Sequence, residues 1–147
     1  MKDRHYIQEA VAHIRGDAAH PCLYGTVKFV RHCGGTMVTA DIFGLPESET
    51  GFFAFHIHEG SECGGDGFSD TGGHLNPRNM PHPQHTGDLP PLLSTGGRAY
   101  MAVLTGRFSV RDVLGRTVVI HSHPDDFRTQ PAGNAGTKIA CGVICRG

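Results

Sequence analysis

Eleven histidines in a chain of 147 residues are the first feature that suggests chemistry. His56 and His58 lie two positions apart in the segment FFAFHIHE, where apolar residues alternate with them. Residues i and i+2 of a β-strand share one face, so both imidazoles can converge on one metal ion. The alternative is a solvated strand face with two ordinary histidines, and the pair alone does not decide between them.

A second set of candidate ligands lies between residues 60 and 91, where glycine and proline recur without hydrophobic periodicity. This segment contains three histidines and a carboxylate within a short stretch: His74, His82, His85 and Asp88. Such nitrogen and oxygen donors form a complete four-ligand set for Zn²⁺. A closed set of this kind predicts a structural zinc site, which would order a loop of about thirty residues. The alternative is a polar loop that is merely rich in histidine.

One more histidine ends the apolar segment TVVIH. His121 therefore lies at the mouth of a predicted strand, where a rigidly held side chain can still face a cleft. His123 shares that strand face and is the alternative. Pro124 follows it directly and indicates that the chain leaves the sheet there, so we favour His121 as the ligand.

Short strands joined by turns are the elements that must position these side chains. The 21 glycines and 9 prolines disfavour many long helices. Strand patterns are found at EAVAHIR, LYGTVKFVR, TMVTADIF, FFAFHIHE, RAYMAVLT, GRTVVIH and KIACGVIC, with a shorter candidate at FSV (108–110). They predict an all-β fold: a Greek-key β-barrel or sandwich of about eight antiparallel strands. A single domain over residues 1–147 would then carry two long functional loops, at 60–91 and 122–137.

The charge and cysteine content restrict the class of protein. A net charge of -1 argues against nucleic acid or an anionic membrane as a partner, and no apolar run is long enough to cross a bilayer. Five cysteines without a CxxC pair do not suit a disulfide-stapled scaffold or a zinc finger. The charged N-terminal segment does not have the pattern of a signal peptide, which predicts a cytoplasmic protein. A periplasmic or secreted protein whose leader has been removed is the alternative.

Several motifs together resemble the copper/zinc superoxide dismutase family. FHIHEG (55–60), GGHLNP (72–77), HTGDLPP (85–91), GRTVVIH (115–121) and GNAGTKIACGVI (133–144) occur in the order typical of that family. The resemblance covers most of the chain from about residue 10 onward. It implies dismutation of superoxide to oxygen and hydrogen peroxide at a redox metal.

The resemblance also implies roles for individual residues. The redox metal would be copper, held by His56, His58, His74 and His121. Zinc would be held by His74, His82, His85 and Asp88, so His74 would bridge both ions. Asp125 would link the outer ring nitrogens of His56 and His82, and Cys63 and Cys141 would form an intrasubunit disulfide. The other three cysteines have no counterpart and are expected to be free thiols or packing residues: Cys22, Cys33 and Cys145.

Lys138 departs from the family pattern, because the resemblance places an arginine at this position. Both side chains attract an anion, but lysine cannot offer a planar pair of donors, so we expect retained but slower catalysis. Three alternatives stay open: a copper-handling protein with weak or no turnover, a structural β-domain that binds only zinc, and an enzyme that uses iron instead of copper. Family members are often homodimers, but nothing in the sequence identifies an interface.

Overall fold

The computed structural model describes residues 7–147, and its regular structure is almost entirely β-strand. The described residues contain nine strands: β1 (Glu9–Gly16), β2 (Tyr24–His32), β3 (Gly35–Phe43), β4 (Phe52–Phe53), β5 (Phe55–His58), β6 (Leu92–Leu93), β7 (Ala99–Thr105), β8 (Thr117–His121) and β9 (Lys138–Arg146). The all-β prediction is confirmed. The predicted domain, residues 1–147, begins with six residues that lie outside the described range.

Seven of the strands form one antiparallel sheet in the order β5-β8-β9-β1-β2-β3-β7. The short strands β4 and β6 pair with each other in a separate ribbon. One residue separates β4 from β5 at one edge of the large sheet, and β6 contacts β7 at the other edge. The ribbon therefore connects the two edges of a strongly curled sheet, in agreement with the predicted barrel.

The period-2 pattern of the sequence determines which side chains enter the core. Along β3 the buried positions are Thr36, Val38, Ala40 and Ile42, and they alternate with partly exposed residues. In β5, by contrast, all four side chains are buried, because Phe55 and Ile57 join the core. His56 and His58 point to the opposite face, so a second layer must cover that face.

That second layer is the long loop between β5 and β6. Isolated bridges join His58 to His74 and His56 to Asp88, which places the loop along β5. A disulfide between Cys63 and Cys141 ties the loop to β9, as expected from the resemblance. The loop also contains a short 3-10 helix, Asp66–Thr71, that the sequence pattern did not predict. The second loop, at 122–137, lies between β8 and β9 as predicted.

The prediction of a strand at FSV (108–110) is wrong. A one-turn helix, α1 (Val110–Val113), begins there instead. The Ser109 hydroxyl accepts a hydrogen bond from the Asp112 backbone N–H, and the Asp112 carboxylate accepts one from the Ser109 backbone N–H. This capping box was present in the sequence as Ser-x-x-Asp and outweighs the strand propensity of three residues. In the described part of the chain, no helix is long and apolar enough to cross a membrane.

Candidate metal centre

Strand pairing brings the two halves of the first ligand group together. β5 and β8 are antiparallel neighbours, with Phe55 opposite Ile120 and His56 opposite Val119. His121, the last residue of β8, therefore lies beside the start of β5, close to the two histidines of that strand. The four-histidine group predicted for the redox metal has one donor atom from each residue within 4.8 Å of the others: His56, His58, His74 and His121.

Within this group, the Nε2 atoms of His58 and His121 are 3.1 Å apart. Two nitrogens bound at about 2.0–2.1 Å to one ion lie roughly 3 Å apart, so the spacing fits a shared metal. His58 Nδ1 donates a hydrogen bond to the Gly72 carbonyl at 2.8 Å. With its proton on Nδ1, the neutral imidazole keeps a lone pair at Nε2 for an ion.

Asp125 connects the two ligand groups by contacting one ring nitrogen of His56 and one of His82. Its carboxylate accepts a hydrogen bond from His56 Nε2 at 2.8 Å and another from His82 Nε2 at 2.7 Å. It also accepts one from the Phe127 backbone N–H at 2.8 Å. A carboxylate in this position fixes the ring orientation and the tautomer of both histidines, because each must carry its proton on Nε2.

Asp88 is the centre of the second group. One carboxylate oxygen lies 2.8 Å from His74 Nδ1, and the other lies 3.1 Å from His82 Nδ1 and 3.2 Å from His85 Nδ1. The Nδ1 atoms of His74 and His85 are 3.1 Å apart. The three predicted zinc histidines therefore each contact the Asp88 carboxylate, and each ring presents Nδ1 to it.

The second four-residue group that could hold an ion differs from the predicted zinc set at one position. It comprises His56, His74, His82 and Asp88, whose donor atoms lie within 4.8 Å of one another. His85 lies beside it, in contact with His74 and Asp88. His56 borders both groups because its ring is only 4.0 Å from that of His74, measured between centroids. The assignment of His85 to zinc and of His56 to the redox metal stays a prediction.

Buried ring nitrogens without hydrogen-bond partners show that the residues fit positive ions. His56 Nδ1, His74 Nε2, His82 Nδ1 and His121 Nδ1 are buried and have no hydrogen-bond partner among the described residues. Since Asp125 accepts the Nε2 protons of His56 and His82, the other nitrogen of each neutral ring carries a lone pair. For His82 that lone pair faces the Asp88 carboxylate at 3.1 Å, a repulsive arrangement that a cation between them turns into coordination.

Burial keeps the histidines in the form that binds metals. It lowers the pKa of His58 to about 2 and that of His121 to about 3, and the charge of Lys138 acts in the same direction. Burial alone would raise the pKa of Asp125, but the hydrogen bonds from His56 and His82 lower it below its usual range. At neutral pH, His58 and His121 are therefore neutral imidazoles and Asp125 is an ionised carboxylate.

Lys138 begins β9 directly opposite His121, where the β8–β9 register contains an irregularity. Its ammonium donates to Thr71 Oγ1 at 2.7 Å and to the Gly72 carbonyl at 3.0 Å. The Gly72 carbonyl also accepts from His58, so the cation and a predicted metal ligand share one acceptor. Partial burial lowers the pKa of Lys138.

The remaining predicted residues are placed as follows. His123 is exposed and hydrogen-bonds to Ser122 at 2.8 Å, so it lies outside the histidine groups. The free cysteines are exposed: Cys22, Cys33 and Cys145. Sequence reasoning did not identify the acceptors around Lys138, nor two side chains that contact the backbone between the zinc ligands, Arg107 and Gln130. Their partners are backbone carbonyls and N–H groups, which leave no signal in a sequence.

Comparisons with known proteins agree with this geometry. Residues 23–144 match the family model described as copper/zinc superoxide dismutase. The chain is 36% identical over 135 residues to the Cu-Zn superoxide dismutase 2 of Aquifex aeolicus, covering 82% of this chain and 78% of that protein. It is 35% identical over 132 residues to the Cu-Zn superoxide dismutase of Legionella pneumophila, covering 84% and 79%. It is 36% identical over 155 residues to the Cu-Zn superoxide dismutase 3 of Arabidopsis thaliana, covering 92% and 88%.

Proposed function

The chain belongs to the copper/zinc superoxide dismutase family, and on that premise we propose that it converts superoxide to oxygen and hydrogen peroxide. The observation that carries the proposal is the pair of adjoining buried donor groups, which share His56 and His74. A structural zinc domain would need only the group around Asp88. The four-histidine group beside it supplies neutral nitrogen donors of the kind that suits a redox-active ion.

We assign His56, His58, His74 and His121 to copper. When bound there, copper supplies a one-electron couple that oxidises one superoxide to oxygen and, with two protons, reduces the next to hydrogen peroxide. His74 uses Nδ1 toward Asp88 and His85, which leaves Nε2 for the copper group. A proton held at His74 Nε2 would lie beside the reacting anion.

We assign His74, His82, His85 and Asp88 to zinc. Zn²⁺ has no redox chemistry, so these residues would hold the long loop against β5 and fix the orientation of His74. Asp125 supports both sets, because its two oxygens hold one histidine of each.

Lys138 is the residue that we expect to attract and orient superoxide. An ammonium has three donors, and two of them are used by Thr71 and Gly72. One N–H is left for a small anion. Arginine has five donors in a rigid fork and could keep both acceptors while offering two N–H groups to the substrate.

Variants of the two candidate histidines on the β8 side test the redox site. His121→Ala should abolish dismutation and lower the copper content while zinc is retained, because His121 does not contact Asp88 or His85. His123→Ala is the matched control and should keep the activity of the parent. Activity is measured as direct superoxide decay, and copper, iron and zinc are quantified in protein purified without added metal. Full activity in His121→Ala would contradict the assignment, and iron in place of copper at full activity would change the metal but not the reaction.

We also propose a homodimer. Tyr24 and Phe43 stack with ring centroids 5.3 Å apart, and Tyr100 lies on the same outer face with 66% of its surface exposed. An exposed aromatic face of this type favours association. Sedimentation of the parent and of Tyr100→Glu tests it: the parent should be dimeric and the variant monomeric, and a monomeric parent would contradict the proposal.

An oxidising compartment is our proposal for where the protein works. Disulfides persist mainly in such compartments, and the Cys63–Cys141 bond therefore favours a periplasmic or secreted location over the cytoplasm expected from the N-terminal charges. Fractionation of the native cells, with thiol labelling of Cys63, tests this. A cytoplasmic protein with Cys63 reduced would overturn it.

A further inference from the structure

The residues 81–88, which we call the zinc segment, carry three of the proposed zinc ligands in eight positions: His82, His85 and Asp88. The segment forms no strand, and Pro81 and Pro83 cannot donate backbone hydrogen bonds. The side chains of His82 and His85 are nevertheless almost fully buried. Buried backbone groups in such a segment need partners from elsewhere in the molecule.

Gln130 satisfies both backbone groups of His82. Its side-chain oxygen accepts a hydrogen bond from the His82 N–H at 2.8 Å, and its side-chain nitrogen donates to the His82 carbonyl at 2.8 Å. This two-point contact resembles the pairing that a neighbouring β-strand would supply. It also joins the zinc segment to the loop 122–137, which carries Asp125.

Arg107 contacts the other side of the zinc segment. Its Nη1 donates to the Pro83 carbonyl at 2.8 Å and to the His85 carbonyl at 3.1 Å. Arg107 lies in the connection between β7 and α1, so it reaches the segment from a part of the fold that contributes no proposed ligand. A hydrogen bond from a charged donor is stronger than one between neutral groups.

We propose that Gln130 and Arg107 are positioning residues that hold the zinc segment in its metal-binding conformation and thereby raise the affinity for zinc. The inference rests on the proposed zinc ligands. His82 and His85 are only three residues apart, so a small change in the backbone between them redirects both rings. Gln130 fixes the backbone of His82. Arg107 fixes the carbonyls of Pro83 and His85.

Zinc affinity, measured by competition with a chromophoric chelator, tests the proposal. Outer contacts that orient metal ligands typically contribute a factor of about 10–100 in metal affinity. We expect Arg107→Ala and Gln130→Met each to weaken zinc binding by about tenfold. Gln130→Met keeps the length of the side chain and removes both hydrogen bonds. Arg107→Lys keeps the charge and one donor group, and it should restore part of the loss.

Cobalt in place of zinc provides a readout that a general loss of stability would not change. The visible absorption of Co²⁺ depends on the geometry of its ligands, so the band should shift in Arg107→Ala and Gln130→Met and return toward the parent in Arg107→Lys. Arg111→Ala and Gln8→Met are the matched controls, because both residues lie outside the zinc segment. Both side chains are exposed, and neither makes a hydrogen bond to the described residues.

Asp88→Ala in the same assays separates the two proposals. If Asp88→Ala binds zinc as tightly as the parent, the proposed ligand set is wrong. If Asp88→Ala loses zinc while Arg107→Ala and Gln130→Met match the parent in affinity and cobalt spectrum, the positioning roles are wrong. An equal loss of zinc affinity in the two control variants would also overturn the positioning roles, because the loss would then not depend on the contacts of Gln130 and Arg107.

Discussion

Three histidines of the metal centre have one ring nitrogen hydrogen-bonded to the protein and one left for an ion: His56, His58 and His82. His58 donates a hydrogen bond from Nδ1 to the Gly72 carbonyl. His56 and His82 instead donate hydrogen bonds from Nε2 to Asp125. Since a neutral imidazole carries one proton, these contacts decide which nitrogen carries the lone pair. The partners behind the rings therefore select the ligand atoms.

Lys138 is the residue at which a substitution should increase activity. Long-range attraction of an anion is the same for lysine and arginine, and it is screened over roughly 8 Å at physiological salt. Short-range binding depends on the free donors, of which arginine has more. We expect Lys138→Arg to raise the rate by about fivefold, the factor supplied by one extra hydrogen bond of about 1 kcal/mol, with an unchanged salt dependence.

Lys138→Glu reverses the charge beside His58 and His121 and should lower the rate by at least about tenfold. Its rate should no longer fall as salt is added. Both variants are compared by direct superoxide decay at several ionic strengths, with equal copper loading. If Lys138→Glu matched the parent in rate and salt slope, Lys138 would not face the substrate, and Arg128 in the adjacent loop would be the next cation to test.

The sequence was sufficient to predict which residues lie together but not every contact that holds them. His56 and His58 followed from strand periodicity, and His121 was preferred to His123 because of Pro124; in the structure His121 lies in the cluster and His123 does not. The four candidate zinc ligands were identified by their type and spacing. The roles of Gln130 and Gly72 could not be predicted, since they depend on backbone atoms brought near by folding.

The long loop and strand β5 form one functional element. Two isolated bridges connect them, and their partners are all candidate ligands. Within the loop, Asp88 contacts three histidine rings, and its carboxylate accepts a hydrogen bond from the His85 N–H at 3.0 Å. Order in the loop therefore depends on the same residues that would bind zinc.

Replacing Asp88 by Ala should release this loop. We expect a loss of zinc and faster cleavage by trypsin after Arg78, which is exposed in the loop. The strands should persist, because the core does not depend on Asp88. Zinc content and timed proteolysis measure both effects, and Asp66→Ala in the exposed 3-10 helix is the control. Unchanged zinc content and an unchanged cleavage rate would contradict a ligand role for Asp88.

Strand elements were easier to predict than the short elements between them. Long alternating segments such as TMVTADIF have enough residues for their periodicity to predict a strand, and β3 has the predicted alternation of buried and partly exposed residues. The FSV segment is too short for periodicity, so local capping by Ser109 and Asp112 determined its structure. The two-residue strand β6 and the 3-10 helix depend on contacts with distant segments and could not be derived from their own sequence.

At the scale of the whole molecule, the disulfide joins the metal-binding loop to the last strand. Cys63 lies in the loop and Cys141 lies in β9, and 78 positions separate them. Closing a loop of this length in the unfolded chain removes entropy equivalent to roughly 4–5 kcal/mol. Cys63→Ser with Cys141→Ser should therefore lower the free energy of unfolding by up to about that amount. Urea unfolding of the metal-free double variant measures it, and Cys145→Ser, which removes an exposed thiol, should match the parent.

The metal-free protein should lose stability as the pH falls below 6.5, because its buried histidines resist protonation. An unfolded histidine binds a proton near pH 6.5, but burial lowers the pKa of folded His58 to about 2 and that of His121 to about 3. Between pH 6.5 and about 3 the unfolded state therefore binds more protons, so the free energy of unfolding decreases with decreasing pH. The slope is at most about 1.4 kcal/mol per pH unit for each histidine.

Carboxylates contribute in a different pH range, so the histidine effect can be measured separately. Asp88 and Asp125 have pKa values lowered below the ordinary 3.8, and their contribution to stability is lost only below that pH. Urea unfolding of metal-free protein at pH 6.5, 5.5 and 4.5 therefore reports on the histidines. His121→Asn should reduce the slope, whereas His123→Asn, at an exposed position outside the cluster, should keep it. A free energy of unfolding that stayed constant from pH 6.5 to 4.5 would contradict the burial of neutral imidazoles at this centre.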